Sequence, residues 1–171
     1  IDWTGQDNGW GRGLPPAEHN FESWIIQADL LARDELRPTA HDIAAAQAQA
    51  LDLLRLRRST PLFSLGSAEL VRERVSFPVC GPQAQPGVIV MVIDDGAGEA
   101  DVDPALDGVV VVLNATPHEI GQRVDALVGR FLVLSDVQAH GSDPVVRETR
   151  FDPATGKVTV PARTVAVLVE P

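Results

Sequence analysis

The sequence predicts a mainly β fold, an antiparallel β-sandwich preceded by an α-helical segment. Residues 88–93 and 109–113 are continuous apolar runs of strand length, each closed by turn-forming residues. Ile43, Ala46, Ala50, Leu53 and Leu54 recur at helical spacing before Pro61. No strand–helix–strand alternation follows residue 61, so the sheet is expected to be antiparallel.

Residues 1–19 are rich in glycine and proline and read as irregular. Asn20 is a candidate cap for a short helix through Trp24, Ile25, Ile26, Leu30 and Leu31, which Pro38 closes. Thr39 and Asp42 then form a capping-box-like start, with Asp in place of the usual Glu. The helix they open has an apolar side and ends in Arg55, Arg57 and Arg58, where cations suit the helix dipole. Beyond Pro61 the pattern turns strand-like: Val71, Glu73, Val75 and Phe77 alternate with Arg72, Arg74 and Ser76. The run 88–93 ends at Asp94-Asp95-Gly96, and 109–113 ends at Asn114-Ala115-Thr116-Pro117. Weaker strands are expected near 120–124, 131–134 and 145–151. A final pair, 158–160 and 164–169, flanks Pro161-Ala162-Arg163.

The chain has 171 residues, enough for one sizeable core and a smaller second unit. It carries 24 acidic against 14 basic side chains, a net charge of −10, so neither nucleic acid nor an anionic membrane is expected as a partner. No apolar run approaches the ~20 residues of a membrane span. The lone Cys80 excludes an internal disulfide and reads as a small buried hydrophobe. Ile1 stands where a start methionine would be, inside what reads as folded sequence, so the chain is expected to be a piece of a longer protein.

Candidate chemistry is sparse. Asp94, Asp95, Glu99, Asp101 and Asp103 could supply oxygens to a hard cation such as calcium, or a glycosidase acid/base pair. Their spacing fits no calcium loop, and a hairpin tip holds catalytic geometry poorly, so a solvated charged turn is the expectation. His19, His41, His118 and His140 have no zinc spacing, and no nucleophile elbow or phosphate loop occurs. The segment 2–16 stands apart, with Trp3, Trp10, Asp7, Asn8, Gln6 and four glycines. Indole faces stack on pyranose rings, and carboxylate and amide groups bond sugar hydroxyls. On composition alone, ligand contact and anchoring to a neighbouring domain stay equally open. The sandwich phenylalanines Phe63, Phe77, Phe131 and Phe151 are expected in the core, which argues against a stand-alone carbohydrate-binding β-sandwich module.

These residues carry a resemblance. Asp2-Trp3, Gln6-Asp7-Asn8-Gly9-Trp10-Gly11 and Gly13-Leu14-Pro15-Pro16-Ala17-Glu18 resemble pullulanases and limit dextrinases of the α-amylase superfamily. Residues 56–65, 86–91, 93–96, 111–117 and 160–167 do so in collinear order, and 137–146 is similar to the limit-dextrinase branch. The resemblance implies a debranching glycoside hydrolase that cuts α-1,6-glucosidic links in α-glucan (pullulan, amylopectin, limit dextrin) with retention. It implies that residues 1–61 end a catalytic (β/α)8 barrel and that 62–171 form its C-terminal sandwich. Asp7 then matches a substrate-binding loop carboxylate, with Asn8 and Trp10 as neighbours and Trp3 as an anchor to the barrel. The family's three catalytic carboxylates lie in blocks absent here, so this chain is expected to be inactive alone. No cofactor is expected in it, calcium being left to the parent enzyme. The relatives leave secreted and plastid locations both open. Without the barrel, the apolar helix side is expected to drive self-association or a rearranged N-terminal region.

Overall fold

The computed structural model describes residues 16–81, 84–98 and 101–171. The chain divides into two units, Ile1–Ala50 and Leu51–Pro171.

The described part of the first unit is helical. Helix α1 spans Ala17–Asn20, α2 Trp24–Leu31, and α3 Ala40–Arg57 begins here. Residues 17–19 are thus helical, not irregular. Asn20 does not cap the following helix; its Nδ2 donates back to the Pro16 carbonyl at 3.0 Å. The Thr39–Asp42 box forms as the spacing predicts. The Thr39 N–H donates to Asp42 Oδ2 at 2.8 Å and the Asp42 N–H to Thr39 Oγ1 at 3.2 Å. Neither α1 nor α2 contains a buried residue, and Phe21, Ile25, Ile26 and Leu30 are exposed.

The second unit is a two-sheet sandwich, antiparallel at every pairing described. Its strands are β1 Val75–Ser76, β2 Val88–Asp94, β3 Gly108–Asn114, β4 Ile120–Arg123, β5 Val133–Leu134, β6 Arg150–Asp152, β7 Lys157–Val160 and β8 Thr164–Glu170. One sheet has the order β1-β2-β3-β8-β5 and the other β4-β7-β6. Alternation sorts the side chains. Val88, Val90, Val92, Val110, Val112, Ala166 and Leu168 point inward against Ile120, Val158 and Val160 of the second sheet, forming the main core. Each fully buried valine, isoleucine or leucine among them contributes about 1.5–3 kcal/mol. The opposite face of the larger sheet places Ile93, Val109, Val111 and Val167 against Leu56 and Leu62.

Two expectations are corrected here, and one element is new. Within 71–77 only Val75–Ser76 is extended, as β1: Ala68–Arg74 is helix α4, opened by Ser67, whose Oγ accepts from the Leu70 N–H at 3.2 Å. The alternation there set Glu73 among valines, which is no consistent apolar face. Within 145–151 only β6 is extended, because Val145–Glu148 forms a 3-10 turn. Asp136–Ala139 is a short helix, α5, that no sequence signal marked.

Candidate functional site

The sequence-selected residues Asp7, Asn8 and Trp10 lie outside the described residues, as do Trp3 and Glu99. What remains to test is whether the polar groups of the described part form any site.

The acidic loop after β2 is solvated in part, with Asp101 exposed, but one of its carboxylates is not. Asp95 is buried and pairs with the guanidinium of Arg74 from the end of α4. Its oxygens also accept the Val102 N–H at 3.1 Å and the Asp103 N–H at 2.7 Å. Asp103 accepts a hydrogen bond from Thr60 Oγ1 at 2.5 Å, and Thr60 Oγ1 in turn accepts the Leu62 N–H at 3.1 Å. Asp94 accepts the Gly96 N–H at 3.0 Å and lies 3.4 Å from Arg130. These carboxylates are committed to holding the loop on the sheet, so no pair faces across a cleft as acid and base. Among the described residues, no group of three or more His, Cys, Asp or Glu could hold a metal ion.

Other polar side chains are equally structural. Asn114 Nδ2 donates to the carbonyls of His118, Val160 and Pro161 at 2.8, 3.2 and 2.7 Å, while Oδ1 accepts from the Thr116 N–H and Oγ1. This one amide ties the end of β3 to the turn between β7 and β8. Burial is the largest single influence on Arg130 and works against its charge, but the bond to Glu170 and the nearby charges of Glu170, Asp94 and Asp107 together raise its pKa. The Gln138 amide reads the free edge of β8, donating to the Val165 carbonyl at 2.8 Å and accepting the Val167 N–H at 2.7 Å.

The exposed phenylalanines described in the sandwich do not assemble a sugar platform either. Phe77 and Phe131 are not core residues as expected; they are 50% and 67% exposed. They follow β1 and precede β5, the opposite edges of the five-stranded sheet, so their rings cannot form one stacking surface. A shallow apolar depression of about 610 Å³ is lined by Gly66, Ser67, Ala68, Val71 and Arg72. Ser67 Oγ and Arg72 Nε are both engaged with helix backbone, leaving little for a polar ligand. Cys80 is exposed, contrary to expectation.

The description "Alpha-1,6-glucosidases, pullulanase-type, C-terminal" matches residues 5–171. The chain belongs to the pullulanase-type C-terminal family. "Pullulanase 1, chloroplastic" of Arabidopsis thaliana is 39% identical over 99% of this chain and 18% of its own length. A pullulanase of Klebsiella pneumoniae is 34% identical over 100% of the chain and 16% of its own length. The solved apo pullulanase of Klebsiella pneumoniae superposes with a TM-score of 0.85 at 34% identity, covering 100% of this chain and 18% of that one. Its counterpart complexed with maltotriose gives 0.84 at 35% identity, covering 100% and 16%. This pullulanase-type chain therefore spans less than a fifth of the relatives it matches. Sequence reading missed the roles of Arg74 and Asp52, and it saw Asp95 and Asn114 only as members of turn signals; Arg74 meets Asp95 21 positions away, and Asp52 accepts from Ser142 90 positions away.

Proposed function

We propose that the chain is the C-terminal portion of a debranching enzyme that hydrolyses α-1,6-glucosidic links in pullulan, amylopectin and limit dextrins. The parent works by a retaining two-carboxylate mechanism, with carboxyl groups about 5–5.5 Å apart, supplied outside this chain. Residues 1–61 close the catalytic barrel and residues 62–171 form the sandwich that braces it. The loop carrying Asp7, with Asn8 and Trp10, forms one wall of the glucan cleft, where Asp7 positions a glucosyl unit. The observation that carries this reading is the match of residues 5–171 to the family, with the sequence collinear throughout. The unburied Ile25, Ile26 and Leu30 of α2 support it, because a helix this apolar needs a partner. The location, secreted or plastid, follows the parent.

Two measurements test the proposal. The purified chain should release no reducing ends from pullulan, and cleavage by it, free of contaminating enzyme, would falsify the assignment. In the full-length enzyme, Asp7→Ala should lower kcat/KM for pullulan at least tenfold without shifting the thermal midpoint. Unchanged kinetics would remove Asp7 from the cleft.

A further inference from the structure

Strand β8 has a sequence suited to pairing on both edges. Residues 164–169 run Thr-Val-Ala-Val-Leu-Val, with neither charge nor proline, the composition of segments that pair with copies of themselves. One edge is filled by β3 along the whole strand, from Thr164 to Glu170. The other is filled by β5 only at Leu168 and Val169, because β5 is two residues long. The chain then turns away at Ser135, whose N–H still donates to the Val167 carbonyl at 2.9 Å. Next along that edge come the Val167 N–H and the Val165 carbonyl, and the side chain of Gln138 takes both. Its Nε2 donates to the Val165 carbonyl at 2.8 Å, and its Oε1 accepts the Val167 N–H at 2.7 Å. These are the bonds that one residue of a neighbouring strand would make through its own N–H and C=O.

We propose that Gln138 is an edge cap, which keeps β8 from pairing with β8 of a second copy of this chain. A primary amide holds a donor and an acceptor in one plane and so stands in for a peptide group; a carboxylate has no donor and an ammonium no acceptor. The segment that presents it is anchored on both sides. Ser135 is tied to Val167 before α5. After it, the Ser142 N–H donates to Asp52 Oδ2 at 2.7 Å and Arg147 Nη2 to the Gly141 carbonyl at 2.5 Å. The cap is therefore in place before any partner arrives. The occupant it excludes is set by what the bare edge would offer. Backbone bonds at Val165 and Val167 select an extended segment, and the uncharged, β-branched β8 of a second copy is one. Loss of the cap opens the same edge on both copies, so the contact is self-complementary. This holds whatever the rest of the parent polypeptide does.

Assembly kinetics of the full-length protein test this, under reducing conditions because Cys80 is exposed. Gln138→Ala should form thioflavin T-positive assemblies about tenfold faster than the unaltered protein. Val158→Ala, a fully buried core change in the other sheet, controls for lost stability. Held equally far below its own thermal midpoint, it should assemble at the unaltered rate. Gln138→Lys breaks the same cap but sets a charge against the edge, and should not assemble faster. Amide exchange locates the contact: the Val167 N–H should exchange faster in soluble Gln138→Ala than in the unaltered protein, and the amides of Val165 and Val167 should become protected in the assemblies. Assembly of Gln138→Ala no faster than that of Val158→Ala would overturn the proposal. So would equal acceleration by the Ala and Lys variants, since lost stability would then be the cause, and so would assemblies in which residues 164–169 exchange freely.

Discussion

The guanidinium of Arg74 meets the carboxylate of Asp95 with the two side chains 0% and 3% exposed. Arg74 also donates to the Asp95 carbonyl at 2.8 Å, so one side chain fixes both the backbone and the carboxylate of the residue that starts the β2–β3 loop. A charge pair this far from water repays its desolvation only when every remaining valence is met, which the Val102 and Asp103 amides do for Asp95.

Breaking that pair from one side should therefore cost more than an ordinary surface substitution. Asp95→Ala leaves the Arg74 charge buried and two loop amides without their acceptor, for an expected loss of about 3–5 kcal/mol in urea unfolding. Arg74→Met should cost a similar amount through the uncompensated carboxylate, and the double variant Arg74→Met with Asp95→Leu should recover much of it. If either single change costs under about 1 kcal/mol, the pair is not holding the loop.

Asn114 presents a second test, because its amide faces three carbonyls. Asn114→Asp keeps the shape and replaces two donors with an acceptor, so a carboxylate would point at the oxygens of His118, Val160 and Pro161. The expected loss exceeds about 3 kcal/mol at neutral pH and shrinks in acid, where a protonated carboxyl regains one donor. Asn114→Ala removes the donors without adding charge and should be milder and independent of pH. Equal stability of the Asp and Ala variants at pH 7 would contradict this assignment of the amide.

The sandwich was legible in the sequence where period and turn chemistry agreed. β2 and β3 appear where 88–93 and 109–113 predict them, and the Thr39–Asp42 box caps α3 because its logic is local. The misreadings fell where long-range contacts decide. Alternation at 71–77 gave way to a helix once Ser67 capped it and Arg74 found Asp95, 21 residues away. The acidic loop looked solvated because its carboxylates are close in sequence, while the donors to Asp95, Asp103 and Asp94 come from α4, the Thr60 turn and Arg130. Composition marked the segment holding Asp7, Asn8 and Trp10 as sugar-binding chemistry, and the family resemblance gave Asp7 its expected role; all three lie outside the described residues.

The exposed helical side chains predict the behaviour of the chain on its own. Ile25 and Ile26 on α2 and Leu53 and Leu54 on α3 are all more than half exposed, and exposed apolar side chains of this kind associate in water. Light scattering should give a mass above the 18.3 kDa of a single chain, rising with concentration. Ile25→Glu combined with Leu54→Glu should move it towards the monomer. A monodisperse solution at 18.3 kDa with low binding of a hydrophobic dye would count against an apolar partner for these helices.

Asp52 near the end of α3 carries a stability contribution that depends on pH. It accepts the Ser142 N–H at 2.7 Å and the Ser142 Oγ at 2.7 Å, with Arg55 also 2.7 Å away. The Ser142 backbone bond, then its hydroxyl and Arg55, lower the Asp52 pKa below its ordinary 3.8. A carboxylate depressed on folding stabilises fully above its unfolded pKa and loses that contribution as pH falls through the folded value. The thermal midpoint of the native chain should therefore exceed that of Asp52→Asn at pH 6, and the gap should close as pH falls below about 3.8. Asp42 and Asp152 are lowered too, by Thr39 and by Thr155 respectively, but they are present in both proteins and cancel in the difference. Amide exchange at Ser142 gives an independent reading, slow at pH 6 in the native chain and faster in the variant after correction for intrinsic rates. A gap that stays constant down to pH 2.5 would mean that the negative charge of Asp52 contributes nothing to the clamp.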